Sequence, residues 1–307
     1  MKQHTFGVIG GLGSLAGADL FFKLVRSEPV LAEQDAFHFL FEQHPFRDVR
    51  APLNATCSMT ARKLYVFQVC QSLVQRRVGS ILLPCFASHT FREELQNELT
   101  IPIVDMMAAL RRHVDGIATK GATLGVVASD FVRQSGLFER YFADRYDIVY
   151  PGGLDQAFVM SAIYGNDGIK AGKLEGHAVE HLVHACEGLR ERGAELILPG
   201  ATELSLVCQA LQRRGYPVLD GNAIYAEHAV SFTAGRQRRV FKLGIVGGVG
   251  PAATVDFMDK VVRNTPASRD QDHIKMVVEQ NPQIPDRTAH LLHQEADPTV
   301  GLYATCK

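Results

Sequence analysis

No stretch of this sequence is apolar over anything near the roughly 20 residues needed to span a bilayer, which excludes a membrane helix. Met1 to Thr5 run straight into an apolar segment. They lack the charged start, apolar core and small-residue cleavage site of a secretory leader, so a cytoplasmic chain is expected. Charge of one sign is also missing. Against 32 Lys+Arg stand 33 Asp+Glu, for a net charge of −1, and nothing requires a nucleic-acid or membrane partner. The six cysteines (Cys57, Cys70, Cys85, Cys186, Cys208, Cys306) show no CxxC spacing. That argues against a zinc site and a disulfide framework, and most are expected to be small buried hydrophobes. Twelve histidines include no HxH or HExxH pair, so no metal site is expected.

What the sequence does hold is 307 residues of globular composition, 46% hydrophobic and 21% charged, a length that suggests about two domains. It also repeats itself. Shifted by 237 residues, 7–50 superposes without a gap on 244–287, and more than a third of the positions are identical. GVIGGLGSLAGADLFFKLVRSEP lies on GIVGGVGPAATVDFMDKVVRNTP, and the EQHP at Glu42 lies on the EQNP at Glu279. Two unrelated strand–glycine–helix openings would not keep Gln34-Asp35 opposite Gln271-Asp272. The repeat predicts one complete unit over about 1–234, a solvated basic linker at 235–240, and the start of a second unit over 241–307.

Strand and helix patterns alternate along the first unit. Short apolar runs at 6–9, 36–41, 80–83, 102–104, 123–128, 146–150, 195–198 and 217–219 are separated by helical patterns. The helix over 60–77 places Leu64, Phe67, Val69-Cys70 and Leu73-Val74 on its apolar side. Alternation of this kind predicts an α/β fold with parallel sheets covered by helices. Two series in one unit predict two pseudo-symmetric lobes with a cleft between them. Lobe one takes about 1–115 plus 217–234, and lobe two about 116–216. ILLPC (Ile81–Cys85) and LILPG (Leu196–Gly200) read as counterparts, and ligands of open α/β sheets sit at such strand ends.

Three places could carry chemistry. The turn Gly10-Gly11-Leu12-Gly13-Ser14-Leu15-Ala16-Gly17 resembles a dinucleotide fingerprint with Glu42 as the ribose acid. Its last spacing is wrong, however, and its backbone N–H groups suit any anionic substrate. Cys85 follows a buried strand and opens a short helix, a position that favours thiolate; packing is the alternative. The third place, Gly200-Ala201-Thr202-Glu203-Leu204, offers N–H groups and a hydroxyl but no base at Ala201.

These motifs together resemble the aspartate/glutamate racemase family of cofactor-independent amino-acid racemases. GGLGS and GGVGP stand where that family has GGMGP. Pro84-Cys85-Phe86-Ala87-Ser88-His89 stands for PCNTAH, and Gly200-Ala201-Thr202-Glu203-Leu204 for GCTEL. Asn281 to Thr288, NPQIPDRT, is close to its substrate loop, and IYGNDGIK at 163–170 also matches. The resemblance implies α-proton transfer by two cysteines, one per lobe, with no cofactor, on a small amino acid or dicarboxylate, in a homodimer. It implies Cys85 as catalytic residue. Gly11, Gly13, His44, Arg50, Phe86, Ala87, Lys170, Ala201 and Thr202 would line the substrate, with Lys170 near a substrate carboxylate and Arg50, in register with Arg287, near the side-chain acid.

The first unit departs from that pattern at its chemistry. The second cysteine is Ala201, the Asn-Thr pair after the first cysteine is Phe86-Ala87, the loop Asn is His44, and DRT is Val49-Arg50-Ala51. In the second unit the first cysteine would fall past Lys307. Three readings follow: a catalyst with Cys85 as single acid/base, aided by water or His89; a non-catalytic unit supporting a second one; and a nucleotide-dependent dehydrogenase resting on the glycine turn.

Overall fold

The computed structural model describes residues 4–44, 46, 51–232, 241–248 and 250–306. Arg50 and the expected linker at 235–240 lie outside them. The chain divides into two compact units, Met1–Gln237 and Arg238–Lys307.

The first unit opens with β1 (His4–Ile9), α1 (Ser14–Val25), α2 (Glu28–Ala32), β2 (Phe37–Glu42), α3 (Thr60–Gln75) and β3 (Ser80–Leu82). Then come α4 (Phe86–His89), α5 (Arg92–Glu98), β4 (Ile103–Val104) and α6 (Met106–Ile117). Their strands form one parallel sheet of order β2-β1-β3-β4. A second series follows with β5 (Thr123–Ala128), α7 (Asp130–Gln134), α8 (Leu137–Phe142), β6 (Asp147–Val149), α9 (Gly153–Tyr164) and α10 (His177–Glu191). It continues through β7 (Leu196–Gly200), α11 (Cys208–Arg213) and α12 (Gly221–Ser231), and its sheet has the parallel order β6-β5-β7. The fold is therefore α/β with two helix-covered parallel sheets. Strands such as β3 are buried at every residue, as expected when helices cover both faces.

Two local readings are corrected. On α3 the buried line is Arg62, Val66, Val69, Cys70 and Leu73, while Leu64 is exposed. Between α7 and α8 the chain turns at Gly136, which takes a left-handed φ of 64°. A 3-10 turn, Thr202–Leu206, precedes α11. Val218, assigned with lobe one, bridges Ile197 in the second sheet. Only with α12 does the chain return to lobe one. The Tyr225 hydroxyl accepts from Leu83 N (3.1 Å) and donates to Val104 O (2.8 Å). Asn222 Nδ2 donates to Ala16 O at 3.0 Å.

The second unit comprises β8 (Lys242–Gly247), α13 (Pro251–Asn264), β9 (Lys275–Gln280), α14 (Arg287–His293) and α15 (Thr299–Thr305). Its opening matches that of the first unit in detail. His4 pairs with Phe37 in β1–β2, and Lys242 with Lys275 in β8–β9, the same separation along the chain. Gly11 and Gly248 both take positive φ, 87° and 121°. In each, a Cβ would run into the carbonyl oxygen of the matching residue, His44 or Asn281. Asp286, within the NPQIPDRT stretch, caps α14 by accepting from Thr288 N and Ala289 N.

Candidate active site

Two corners of the same construction face one cavity. After β3 the chain stays extended through Cys85 (φ −161°, ψ 109°) and then turns into α4, where Ser88 N and His89 N donate to Cys85 O. After β7 it stays extended through Ala201 (φ −140°, ψ 133°) and turns into the 3-10 helix, with Leu204 N donating to Ala201 O at 3.1 Å. Thr202 Oγ1 reaches Pro84 O at 3.5 Å, so the corners touch. Cys85, Ala87, Ala201 and Thr202 line the cavity together with Arg62, Tyr164, Lys170 and Glu203. Its volume is about 20 Å³, room for a single water.

The thiol of Cys85 is 8% exposed. Arg62 Nη1 lies 4.0 Å from its Sγ, and the Arg62 guanidinium sits 4.9 Å from the centre of the Phe46 ring. Across the cavity Lys170 Nζ pairs with Glu203 Oε1 and also donates to Leu12 O at 3.3 Å. Tyr164 stands beside them. Burial pushes its phenol up, reinforced by Glu203 and Cys85, so it stays protonated. Three other thiols, Cys70, Cys186 and Cys208, are raised to about 12 by burial and belong to the core. Among the described residues no group of three or more His, Cys, Asp and Glu side chains could hold a metal.

The expected site residues separate into those the structure brings together and those it does not. Cys85, Phe86, Ala87, Lys170, Ala201 and Thr202 meet at the cavity. Phe86 belongs equally to the core, its ring stacked on Phe138 at 5.9 Å. Gly13 is packed against the Lys170–Glu203 pair, where a Cβ would meet Glu203 Oε1 at 2.5 Å. Gly11 supports this turn from behind. His44 is not at the cavity: its ring is 58% exposed and pairs with Glu42 Oε1 at 2.8 Å, because its backbone is held by the turn at Gly11. His89 is also unavailable as a partner for Cys85. Its Nε2 accepts from Met106 N and its Nδ1 donates to Cys85 O, so both ring nitrogens serve the backbone. Burial lowers its pKa and keeps it neutral.

Arg62, Tyr164 and Glu203 were missed as site residues. Arg62 had a signal: it occupies the position that Val66, Val69, Cys70 and Leu73 continue at helical spacing, a charge where the stripe calls for an apolar residue.

Comparison with known proteins agrees with this geometry. The family model described as Asp/Glu/Hydantoin racemase matches residues 9–229. The broad specificity amino-acid racemase RacX of Bacillus subtilis (strain 168) is 25% identical over 158 residues, 50% of this chain and 64% of that protein. The chain thus spans less than two thirds of that relative's length. Among solved structures, the Picrophilus torridus aspartate racemase superposes with a TM-score of 0.60 at 18% identity, over 74% of this chain and 93% of that one. Glutamate racemase from Francisella tularensis subsp. tularensis SCHU S4, in complex with D-glutamate, gives 0.55 at 14% identity, over 92% and 90%. At such identities the structures speak for the fold, and the family model, matching most of the chain, speaks for descent. The chain belongs to the Asp/Glu/hydantoin racemase family.

Proposed function

We propose that the first unit transfers the α-proton of an acidic amino acid such as aspartate or glutamate, without a cofactor, using Cys85 as its single acid/base. The observation that carries this reading is the equivalence of Cys85 and Ala201. Both follow the C-terminal end of a parallel strand and face one cavity, and one of the two has no proton to give. The Cys85 thiolate takes the proton from Cα, and the electron pair left behind delocalises into the adjoining carboxylate. With no acid on the opposite face, the proton returns from Sγ to the face it left. Hydrogen exchanges with solvent while the hand of the amino acid is kept. The names of relatives, a broad-specificity amino-acid racemase and a racemase holding D-glutamate, support this substrate class. Thr202 and Lys170 are among the side chains at the cavity suited to a substrate carboxylate.

Incubation of L- and D-aspartate and L- and D-glutamate with the full chain in D₂O tests the reading by proton NMR. Deuterium should enter the α-position of one hand and not the other, and Cys85→Ser, whose hydroxyl is far too weak an acid to supply the base, should stop it. Exchange that survives Cys85→Ser removes Cys85 from the role.

A second reading rests on Ala201 and the small size of the cavity: a non-catalytic unit that supports another racemase unit. The common register and turn geometry of the two openings support descent by duplication. This reading predicts no exchange with any of the four amino acids. A homodimer in the cytoplasm belongs to either reading, and sedimentation at micromolar concentration checks the dimer.

A further inference from the structure

We propose that Arg62 is the carboxylate anchor of the cysteine cavity, so that the site takes a small anion bearing a carboxylate within reach of the Cys85 thiol. The naming of the carboxylate class rests on the racemase-family reading. The placement of the cation rests on geometry alone.

Arg62 is 4% exposed, and an arginine keeps its charge inside proteins. Its surroundings do not answer that charge. The contacts it makes are Cys85 Sγ at 4.0 Å and the face of Phe46 at 4.9 Å, and among the described residues no carboxylate pairs with it. Other half-buried cations of this unit are paired: Lys23 with Asp220, Arg92 with Asp105, Arg111 with Asp115, and Lys170 with Glu203. A buried, unpaired guanidinium is costly, and it is kept where an anion completes it. The planar fork of donors fits a carboxylate in two parallel hydrogen bonds.

One further observation makes the same point. The corner after Cys85 presents Phe86 and Ala87, so no hydroxyl or amide side chain there can hold a carboxylate.

Iodoacetate and iodoacetamide test this without any turnover. In both reactions the Cys85 thiolate displaces iodide and forms an S–CH₂ bond. The reagents are close in size, and one carries a carboxylate. Rates at Cys85 and at exposed Cys306 are read on the full chain by peptide mass spectrometry. The ratio of iodoacetate to iodoacetamide rates should be about tenfold higher at Cys85 than at Cys306, the scale of one charge-assisted hydrogen bond. Arg62→Met should bring the two ratios together, and Arg62→Lys should keep part of the preference. An equal ratio at both cysteines in the unaltered chain overturns the proposal, even where Arg62→Met fails to fold. So does an unchanged ratio in a folded Arg62→Met. A Cys85 that takes up neither reagent over hours also overturns it, since no small carboxylate then reaches Arg62. Failure of α-proton exchange alone would sink the catalytic reading and leave this ratio unaffected.

Discussion

Lys170 and Glu203 form an ion pair that is the common wall of two hollows. On one side lies the small cavity of about 20 Å³ at Cys85. On the other is a larger hollow of about 400 Å³ between the start of α1 (Gly13 to Ala16) and the segment from Ile169 to Gly172. The pair's side chains are 10% and 7% exposed. A carboxylate in the larger hollow therefore meets the pair and competes with Glu203 for Lys170. The glycine at position 13 is what lets the pair sit so close to the turn.

Removing one member of this pair should cost more than removing both. Lys170→Met leaves the Glu203 carboxylate buried alone, and such a loss costs about 3 kcal/mol. Lys170→Met with Glu203→Gln leaves no uncompensated charge and should cost less than half of that. Urea denaturation followed by circular dichroism measures both, and the chain has no tryptophan to report instead. Equal losses in the single and double variants would show that the pair carries no buried charge.

Ala201→Cys should convert exchange into racemisation. The residue is extended at the strand end and lines the cavity as Cys85 does, so a thiol there faces the same Cα from the other lobe. General acid–base catalysis contributes roughly 10²-fold or more, and chiral chromatography of aspartate and glutamate should show D from L rising by about that factor. Exchange that stays one-handed in the variant would mean that the missing thiol is not what limits this unit.

The framework was legible because its signals are local and periodic. The buried run Ser80–Leu82, the turn at Gly10 to Gly13 and the cysteine corner each announce themselves within a few residues, and their order carried the family. The site was less legible, because its members are set by contacts that no local pattern records. His44 was expected at the substrate by its register with Asn281. Its carbonyl seals the Gly11 turn instead, and its ring turns out to Glu42. His89 looked free to act, but Cys85 O and, beyond α5 and β4, Met106 N claim both nitrogens. Arg62 was hidden for the opposite reason. Its helix was read through Leu64, one face away from the stripe that is buried.

The neutral, buried His89 makes stability fall on the acid side. Its folded pKa is lowered from 6.5 by burial. Below that value the unfolded chain takes up a proton that the folded one refuses, so stability is unaffected above about pH 6.5 and is lost as pH falls below it. His89→Gln cannot take up that proton in either state. It should be less stable at neutral pH, having disturbed two backbone hydrogen bonds, but with a shallower decline between pH 6.5 and 5. Melting curves across that range decide the matter, and an undiminished slope would assign the effect to other groups such as His228, which burial also lowers.

Gly11→Ala should damage the first unit more than its distance from the cavity suggests. The residue sits at φ 87°, and an added Cβ would lie 1.7 Å from His44 O and 2.5 Å from the Tyr65 hydroxyl. That hydroxyl donates to both Gly10 O and His44 O, tying the turn to α3. Since α3 also carries Arg62, a turn pushed off its seat moves the guanidinium away from Cys85. A left-handed alanine with such an overlap costs about 2–3 kcal/mol. The preference of Cys85 for iodoacetate should weaken as well, although no group at the cavity has been changed. Gly248→Ala makes the equivalent insult in the second unit, where a Cβ would lie 2.0 Å from Asn281 O. The preference at Cys85 should survive it. Loss of that preference in Gly248→Ala, or its survival in a destabilised Gly11→Ala, would show that the turn and Arg62 are not mechanically linked.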